Sequence, residues 1–250
     1  MAYRPTIGRS LLGDAAIVAR LSEQFESATP AQIVRWAIAQ FPGRLALSVS
    51  FGGDGGTMLA HMIAKVSPVV DVLFLDTGLL FDETYAFRNR LAEQLGLNVV
   101  DVHPALTVAE QEVVYGQKLW DSAPDRCCQM RKVDPMRKAL ANYDGWISGI
   151  RRSQTTTRAN SPVVAYDAGF DVIKVCPLVN ADDNLIQEYI QKHDLPHNPL
   201  QVQGYASIGC WPCTSKVLPG EDSRAGRWRQ SQKTECGLHT PAGEQRSKRE

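Results

Sequence analysis

No run of about 18 apolar residues, the length that crosses a membrane as a helix, occurs in this 250-residue chain. The opening Met1-Ala2-Tyr3-Arg4-Pro5 has no apolar core of the kind that marks a secretory leader. Net charge is absent as well, since 27 Lys and Arg balance 27 Asp and Glu. A chain that is not basic overall lacks the electrostatic footprint of a general nucleic-acid binder. There is no internal repeat and no low-complexity tract, so solenoids and long linkers are set aside. A Gly-Lys-Ser/Thr phosphate loop of the Walker type is missing too. What these absences leave is a globular chain of one large domain with an appendage, expected in the cytoplasm, with no membrane and no nucleic-acid partner.

What the chain does have is cysteine, six in all. In a reducing compartment six cysteines serve as metal ligands or catalysts before they serve as disulfides. Cys127 and Cys128 are adjacent, and Cys210 and Cys213 form a Cys-Trp-Pro-Cys pair. Cys236 stands apart in Lys233-Thr-Glu-Cys-Gly-Leu-His239, while Cys176 sits in an apolar strand-like run and is given no role. Two pairs make four soft ligands, and the remaining cysteine is left as a reagent.

Charge is unevenly spread around these thiols. Residues 1–125 carry 9 Lys and Arg against 14 Asp and Glu, whereas residues 126–158 carry 8 against 2. The plain reading of that basic stretch is a solvated helix face. The alternative is an anion site, favoured because the cations bracket the first cysteine pair.

Periodicity divides the chain into three parts. Residues 1–43 read as two amphipathic helices, 11–26 and 30–41, the second capped by Thr29 with Pro30 in its first turn. Residues 44–214 alternate strand and helix. Strands are expected at 45–50, 69–75, 97–102, 146–149 and 172–175. Helices are expected at 57–65, 82–95, from the Thr107–Glu110 capping box onward, at 127–142 with an irregularity at Pro135, and at 182–193. Such alternation implies an α/β fold, a parallel sheet with helices on both faces and ligands at the carboxyl ends of its strands. Residues 215–250 lose the period and read as a flexible tail or lid.

Several constellations carry chemistry. Ser50-Phe51-Gly52-Gly53-Asp54 follows a strand and opens a helix, a place where backbone N–H groups can cradle phosphate. It resembles the phosphate loop of the N-type ATP pyrophosphatases. The bland alternative is a tight turn without a ligand. Adjacent cysteines on a helix point about 100° apart, which is awkward for one tetrahedral ion. The arrangement therefore favours a [4Fe-4S] cluster over zinc, with unligated thiols as the third reading. Cys236, with His239 three residues on, has the marks of a nucleophile whose thiolate nearby cations would favour. Arg151, Arg152 and Arg158 on one segment, and Arg224 and Arg227 on another, offer guanidinium forks to phosphate or sulfate oxygens.

Taken together, Leu75-Asp-Thr-Gly-Leu-Leu-Phe-Asp-Glu-Thr-Tyr85, Cys127-Cys128-Gln-Met-Arg-Lys132, Gly149-Ile-Arg-Arg-Ser-Gln154, Ser207-Ile-Gly-Cys-Trp-Pro-Cys-Thr214, Pro219-Gly-Glu-Asp-Ser-Arg-Ala-Gly-Arg-Trp228 and Glu235-Cys-Gly-Leu-His239 resemble the assimilatory adenylyl-sulfate (APS) reductases, the iron–sulfur branch of the 3′-phospho-APS (PAPS) reductase family. The likeness runs in order from about residue 44 to residue 239. It implies an adenine nucleotide alpha hydrolase-like fold of the PP-loop type. It implies further that the Cys236 thiolate attacks the sulfur of APS, that AMP leaves, and that reduced thioredoxin or glutaredoxin releases sulfite from an S-sulfocysteine. By the same resemblance, Cys127, Cys128, Cys210 and Cys213 hold the cluster. Lys132, Arg158, Arg224, Arg227 and His239 bind the phosphosulfate. Ser50, Gly52, Gly53 and Asp54 hold nucleotide phosphate, while Leu75 and Gly149 line the nucleotide site. The cluster is expected to position Lys132 and tune charge, because two thiols already supply two electrons. Rival readings are PAPS or dual APS/PAPS reduction, a tRNA-thiolating ATP pyrophosphatase, and a zinc module without catalysis. Monomer and homo-oligomer both stay open.

Overall fold

Strands β1 (Leu45–Ser48), β2 (Asp71–Leu75), β3 (Asn98–Val102), β4 (Gly145–Ser148), β5 (Val164–Asp167) and β6 (Val172–Val175) form one sheet in the order β3-β2-β1-β4-β6-β5. This is a computed structural model, and it describes residues 14–229, 231 and 233–239. All pairings are parallel except that of β5 with β6, which is antiparallel. The chain leaves β1 toward β2 and β3 on one side, then returns to pair β4 on the other. That reversal opens a crevice at the carboxyl ends of β1 and β4.

Ten α-helices among the described residues dress the sheet: α1 (Ala15–Phe25), α2 (Pro30–Gln40), α3 (Asp54–Val66), α4 (Asp82–Leu95), α5 (Val108–Tyr115), α6 (Leu119–Ser122), α7 (Pro124–Cys128), α8 (Asp134–Leu140), α9 (Asp183–Lys192) and α10 (Pro199–Val202). Successive strand residues point to opposite faces, and the two faces carry separate cores. Leu45, Leu47, Val72, Phe74 and Ile147 pack with residues of α1, α2, α3, α4 and α9. Ala46, Leu73, Trp146 and Val172 pack on the other face with Met136 and Leu140 of α8. Helices thus cover both faces, as the alternation implies, but one face takes most of them.

The capping residues act as their types dictate. Thr29 Oγ1 accepts from the Gln32 amide at 3.3 Å, and Gln32 Oε1 accepts from the Thr29 amide at 2.8 Å. Thr107 and Glu110 form the same reciprocal pair. The first helix begins at Ala15 with Asp14 as its cap, and residues 11–13 of the expected span lie outside the described residues.

Three differences from expectation have local causes. Helix α3 starts at Asp54 rather than at residue 57, and its first turn packs so closely on the end of β1 that a side-chain carbon on Gly56 would lie 3.0 Å from Val49. The expected helix over 127–142 is interrupted by a π turn, Gln129–Val133. Pro135 has no amide hydrogen, and its ring would crowd the Arg131 carbonyl in a regular helix. Widening the preceding turn relieves that clash. Strand β5 was not anticipated. It is a short edge strand of mixed exposure, which leaves a weak period.

Helix α1 is tied to the loop after β4 by Glu26, whose carboxylate accepts from Arg152 Nη2 at 2.7 Å and Nη1 at 2.9 Å. The Arg152 hydrogen bonds hold the Glu26 carboxyl down at about 2, against 4.5 for a free glutamate. A depressed carboxyl stabilises the fold above its unfolded value and loses that contribution as pH falls toward 2. Both side chains are partly exposed, so the pair is worth about 1 kcal/mol. Glu26→Gln should lower the melting temperature by about 2–4 °C at pH 7. Melting curves of both proteins from pH 7 down to pH 3 should converge in the acid range, and a constant gap would refute the linkage.

Candidate active site

A cavity of about 390 Å³ opens at the strand-order reversal. Ser50, Gly52, Gly53 and Asp54 line it from the β1–α3 turn, Leu75 from the end of β2, and Lys132 from the π turn. Gly149 and Arg158 come from the segment after β4, and Arg224, Arg227, Cys236 and His239 from the tail. Apart from Arg152, which lies outside it, all the residues nominated for nucleotide or oxyanion, together with the nominated nucleophile, therefore border one space. The two cysteine pairs do not line it.

The β1–α3 turn is held rigidly. Phe51 takes a left-handed backbone with φ of 52°, a conformation costly for a bulky residue. Burial of its ring edge-on against Phe74, at 5.5 Å, holds it there, as does the Asn198 side-chain amide donating to its carbonyl at 2.9 Å. A side chain on Gly52 would come within 2.8 Å of the Ile208 carbonyl oxygen, so only glycine fits between the turn and that segment. Gly53 caps α3 without a side-chain hydrogen bond, which leaves first-turn amides available to an anion. The Asp54 carboxylate itself faces elsewhere. It accepts from Gln187 Nε2 at 2.8 Å and Gln201 Nε2 at 3.0 Å, and lies 3.0 Å from His197 Nδ1. Asp54 thus offers backbone to a phosphate, while its charge is tied to α9 and the α10 segment.

The described tail has no helix or strand, yet it is tied down along its length. Thr214 and Arg227 form an isolated bridge, Ser215 donates to the Gly226 carbonyl at 2.8 Å, and Trp228 donates to that of Cys213 at 3.1 Å. The Arg227 guanidinium lies against Gly209, where an added side-chain carbon would be 2.4 Å from its Nη2. Lys233 pairs with Asp125. Gly226 and Trp228 of the described tail are buried while residues such as Leu218 to Gly220 stay exposed, and residues 230, 232 and 240–250 of the expected lid lie outside the described ones.

The arginines divide by role. Arg152 is engaged by Glu26, and Arg151, although it borders the cavity, pairs with Asp183 at 2.6 Å. Arg158 donates from Nε and Nη2 to the two carboxylate oxygens of Glu235, each at 2.7 Å. Arg224 reaches the Thr234 carbonyl at 2.9 Å and Glu235 at 3.5 Å.

Cys236 is half-buried. Burial pushes its thiol up, but the Lys132 ammonium, the Leu238 amide and Arg227 outweigh burial and the Glu235 charge, leaving it below the ordinary thiol value. Burial, with Lys174, Arg158 and Arg224 nearby, drives His239 far below the usual imidazole range. It is a neutral ring stacked on Trp146 at 5.7 Å. His239 Nδ1 and Trp228 Nε1 are both buried without a hydrogen-bond partner, and both residues border the cavity.

The cysteine pairs sit beside this space. Cys127 and Cys128 end α7, and Cys210 caps a 3₁₀ turn, Trp211–Cys213, that Cys213 closes. Burial raises Cys127 to about 11, helped by the charges of Cys210 and Cys213. It raises Cys128 to about 12 against the pull of Lys132. The charged neighbours of these thiols are one another, Cys236 and the cations Arg131, Lys132, Arg227 and Lys233. Thr77 Oγ1 lies 3.2 Å from Cys210 Sγ. Among the described residues no three His, Cys, Asp or Glu side chains gather tightly enough for one metal ion. Four soft donors from two segments, ringed by cations, fit an anionic thiolate-bound cluster, whose several irons accept ligands farther apart than a single zinc does.

The Phosphoadenosine phosphosulfate reductase domain model matches residues 44–216. The chain belongs to this family. It is 43% identical to an adenosine 5′-phosphosulfate reductase of Streptomyces coelicolor, over 90% of this chain and 94% of that one. It is 41% identical to that of Rhodococcus opacus, over 89% and 93%. Among solved structures, the PAPS reductase of Candida auris in a phosphate complex superposes with a TM-score of 0.69 at 29% identity, covering 80% of this chain and 96% of that one. An FMN adenylyltransferase of Candida glabrata, solved with FMN and an ATP analogue, reaches a TM-score of 0.52 at 15% identity, over 90% and 85%. That likeness shows the shared fold, a mostly parallel α/β sheet with helices. The family model ends before Arg224, Arg227, Cys236 and His239, so the tail's contribution to the cavity comes from the structure. Sequence reasoning passed over Thr77, Trp228 and Glu235 as individual residues, although each lies inside a quoted motif. No helix among the described residues is long and apolar enough to cross a membrane.

Proposed function

We propose that this protein reduces APS to sulfite and AMP. The observation that carries the reading is a thiol held below its ordinary value, in the same cavity as an open helix N-terminus and the cations Lys132, Arg158, Arg224 and Arg227. The single phosphate of APS suits both the amides and the cations, and its sulfate suits the cations. The Cys236 thiolate attacks the substrate sulfur. A sulfur–sulfur bond forms, the bond from sulfur to the phosphate oxygen breaks, and AMP leaves with the electron pair. The cations offset charge that builds on the sulfonyl and phosphate oxygens. A dithiol protein of the thioredoxin or glutaredoxin class then attacks Cys236 Sγ. Sulfite leaves, and the second thiol of the partner resolves the mixed disulfide, so two thiols become one disulfide. For that attack the 215–250 segment must lift Cys236 out of the cavity, with residues 44–214 as the fixed body.

Cys127, Cys128, Cys210 and Cys213 would hold a [4Fe-4S] cluster. When bound, the cluster supplies a compact negative charge beside Lys132. Protein purified without air should be brown, with broad absorbance near ~400 nm. Stoichiometric zinc without iron or sulfide would overturn the assignment.

The deciding assay measures sulfite release with APS and PAPS side by side, with a reduced dithiol protein as electron donor. The curated relatives at 41% and 43% identity carry the APS reductase name, and the PAPS reductase is more distant at 29%. Higher catalytic efficiency with APS is expected. Equal efficiency would make this a dual enzyme, and no sulfite from either substrate would end the proposal.

A further inference from the structure

We propose that Glu235 is a positioning residue that competes with the substrate's oxyanion for Arg158 and Arg224. While the cavity is free of anion, its carboxylate fills that arginine pair and thereby fixes Cys236, its chain neighbour, at the cavity. The inference rests on the reading of the cavity as a phosphosulfate site.

Glu235 and Arg158 meet through a two-pronged contact at 2.7 Å on each prong. Their side chains are only 8% and 7% exposed, so this is a desolvated pair rather than a surface one. Arg224 Nη2 lies 3.5 Å from the same carboxylate, and the Thr155 hydroxyl lies 3.3 Å from it. Arg158 belongs to the loop that follows β4, in the body of the domain, while Glu235 belongs to the tail. The contact joins elements 77 residues apart in sequence, at a point one residue from the nucleophile. Arg158, Arg224 and Glu235 all border the cavity.

A guanidinium fork recognises carboxylate, phosphate and sulfate oxygens by the same geometry. An anion arriving at Arg158 and Arg224 therefore meets a carboxylate already seated there, and its affinity is reduced by whatever is needed to displace that carboxylate. The same carboxylate is the strongest side-chain tether next to Cys236. Loss of its charge should therefore act in opposite directions on binding and on turnover. Arginines released from Glu235 hold an anion more tightly, while a thiol released from its tether is in line for attack less often.

The test uses Glu235→Gln in the full-length, cluster-loaded protein. Its amide presents N–H donors to N–H donors on one prong, so the fork is lost. AMP affinity, measured by calorimetry, should rise about tenfold. The KM for APS should fall with it, while kcat drops about tenfold or more. Glu235→Asp keeps the charge and should restore part of kcat while returning AMP affinity toward wild type. A merely structural role would do the reverse, weakening AMP and raising KM, and either that pattern or unchanged AMP affinity overturns the proposal. Should Glu235→Gln fail to fold, Thr155→Val carries the test. It removes the hydroxyl's contacts to the carboxylate and to the Thr157 hydroxyl and should tighten AMP by about two- to threefold; no tightening would count against the proposal. The AMP titrations do not depend on APS turnover. If the chain does not reduce APS, the functional reading falls while the competition at Arg158 is still decided.

Discussion

Cys236→Ser should abolish sulfite release, by about 10,000-fold or more, and leave iron and sulfide content unchanged. The expectation follows from where the six thiols lie. Cys127, Cys128 and Cys210 are buried away from the cavity with Cys213 beside them, Cys176 is buried against the sheet, and Cys236 alone borders the substrate space. Serine keeps the shape and the contacts of the tail but has a hydroxyl that stays protonated where the thiol ionises. Burial opposes ionisation, and Lys132, the Leu238 amide and Arg227 reverse that effect at Cys236. The other half of the test needs no variant. Wild-type protein given APS and no reductant should gain one sulfite-sized mass, and peptide mapping should place it on Cys236. An adduct on a different cysteine, or iron lost along with activity in the serine variant, would remove Cys236 from the role of nucleophile.

How much of this was legible beforehand depends on the range of the interaction involved. Strand β1, the glycine turn and α3 follow from neighbours in sequence, and so do the capping boxes at Thr29 and Thr107. The crevice at the β1–β4 reversal follows from strand and helix alternation. The π turn was legible only as an irregularity at Pro135, because the choice between a kink and a widened turn depends on what packs around Arg131. That side chain is buried, donating to the Thr77 carbonyl at 2.6 Å and to Gln111 Oε1 at 3.0 Å. The Glu235–Arg158 pair leaves no local signal, since opposite charges far apart in sequence can meet in many ways. The tail shows the same limit. Its Pro, Gly and charged residues read as a flexible tail, and that composition does not foretell the ion pairs that join it to the body here, Lys233 to Asp125 and Glu235 to Arg158. Composition records the absence of an apolar period, and it cannot record which ion pairs form.

Lys132→Met should lower kcat/KM for sulfite release by about 100- to 1,000-fold, the loss typical of removing one fixed charge or donor from a reacting centre. Met has a similar length and no charge, so the change isolates the ammonium. That ammonium is buried. Burial pushes its pKa down, but the neighbouring sulfurs of Cys210, Cys236 and Cys128 outweigh burial and leave it raised. One cation therefore faces the nucleophile and both cysteine pairs, and it borders the cavity with Arg158, Arg224 and Arg227. The π turn, Gln129–Val133, carries Lys132 and lies directly after the thiol pair at the end of α7. Two roles for the cation can be separated. As a counter-charge to the cysteine pairs alone, it would affect how much cluster the protein holds, and activity per bound cluster would survive the substitution. As a charge aimed at the substrate, it would affect turnover even in fully loaded protein. Sulfite release normalised to iron content distinguishes them. A fall of at least about 100-fold per cluster is expected from a transition-state charge contact, because negative charge builds on the bridging phosphate oxygen as AMP departs and no other buried ammonium borders the cavity among the described residues. Full activity per cluster in Lys132→Met would confine Lys132 to the thiols and leave the arginines to stabilise the transfer unaided.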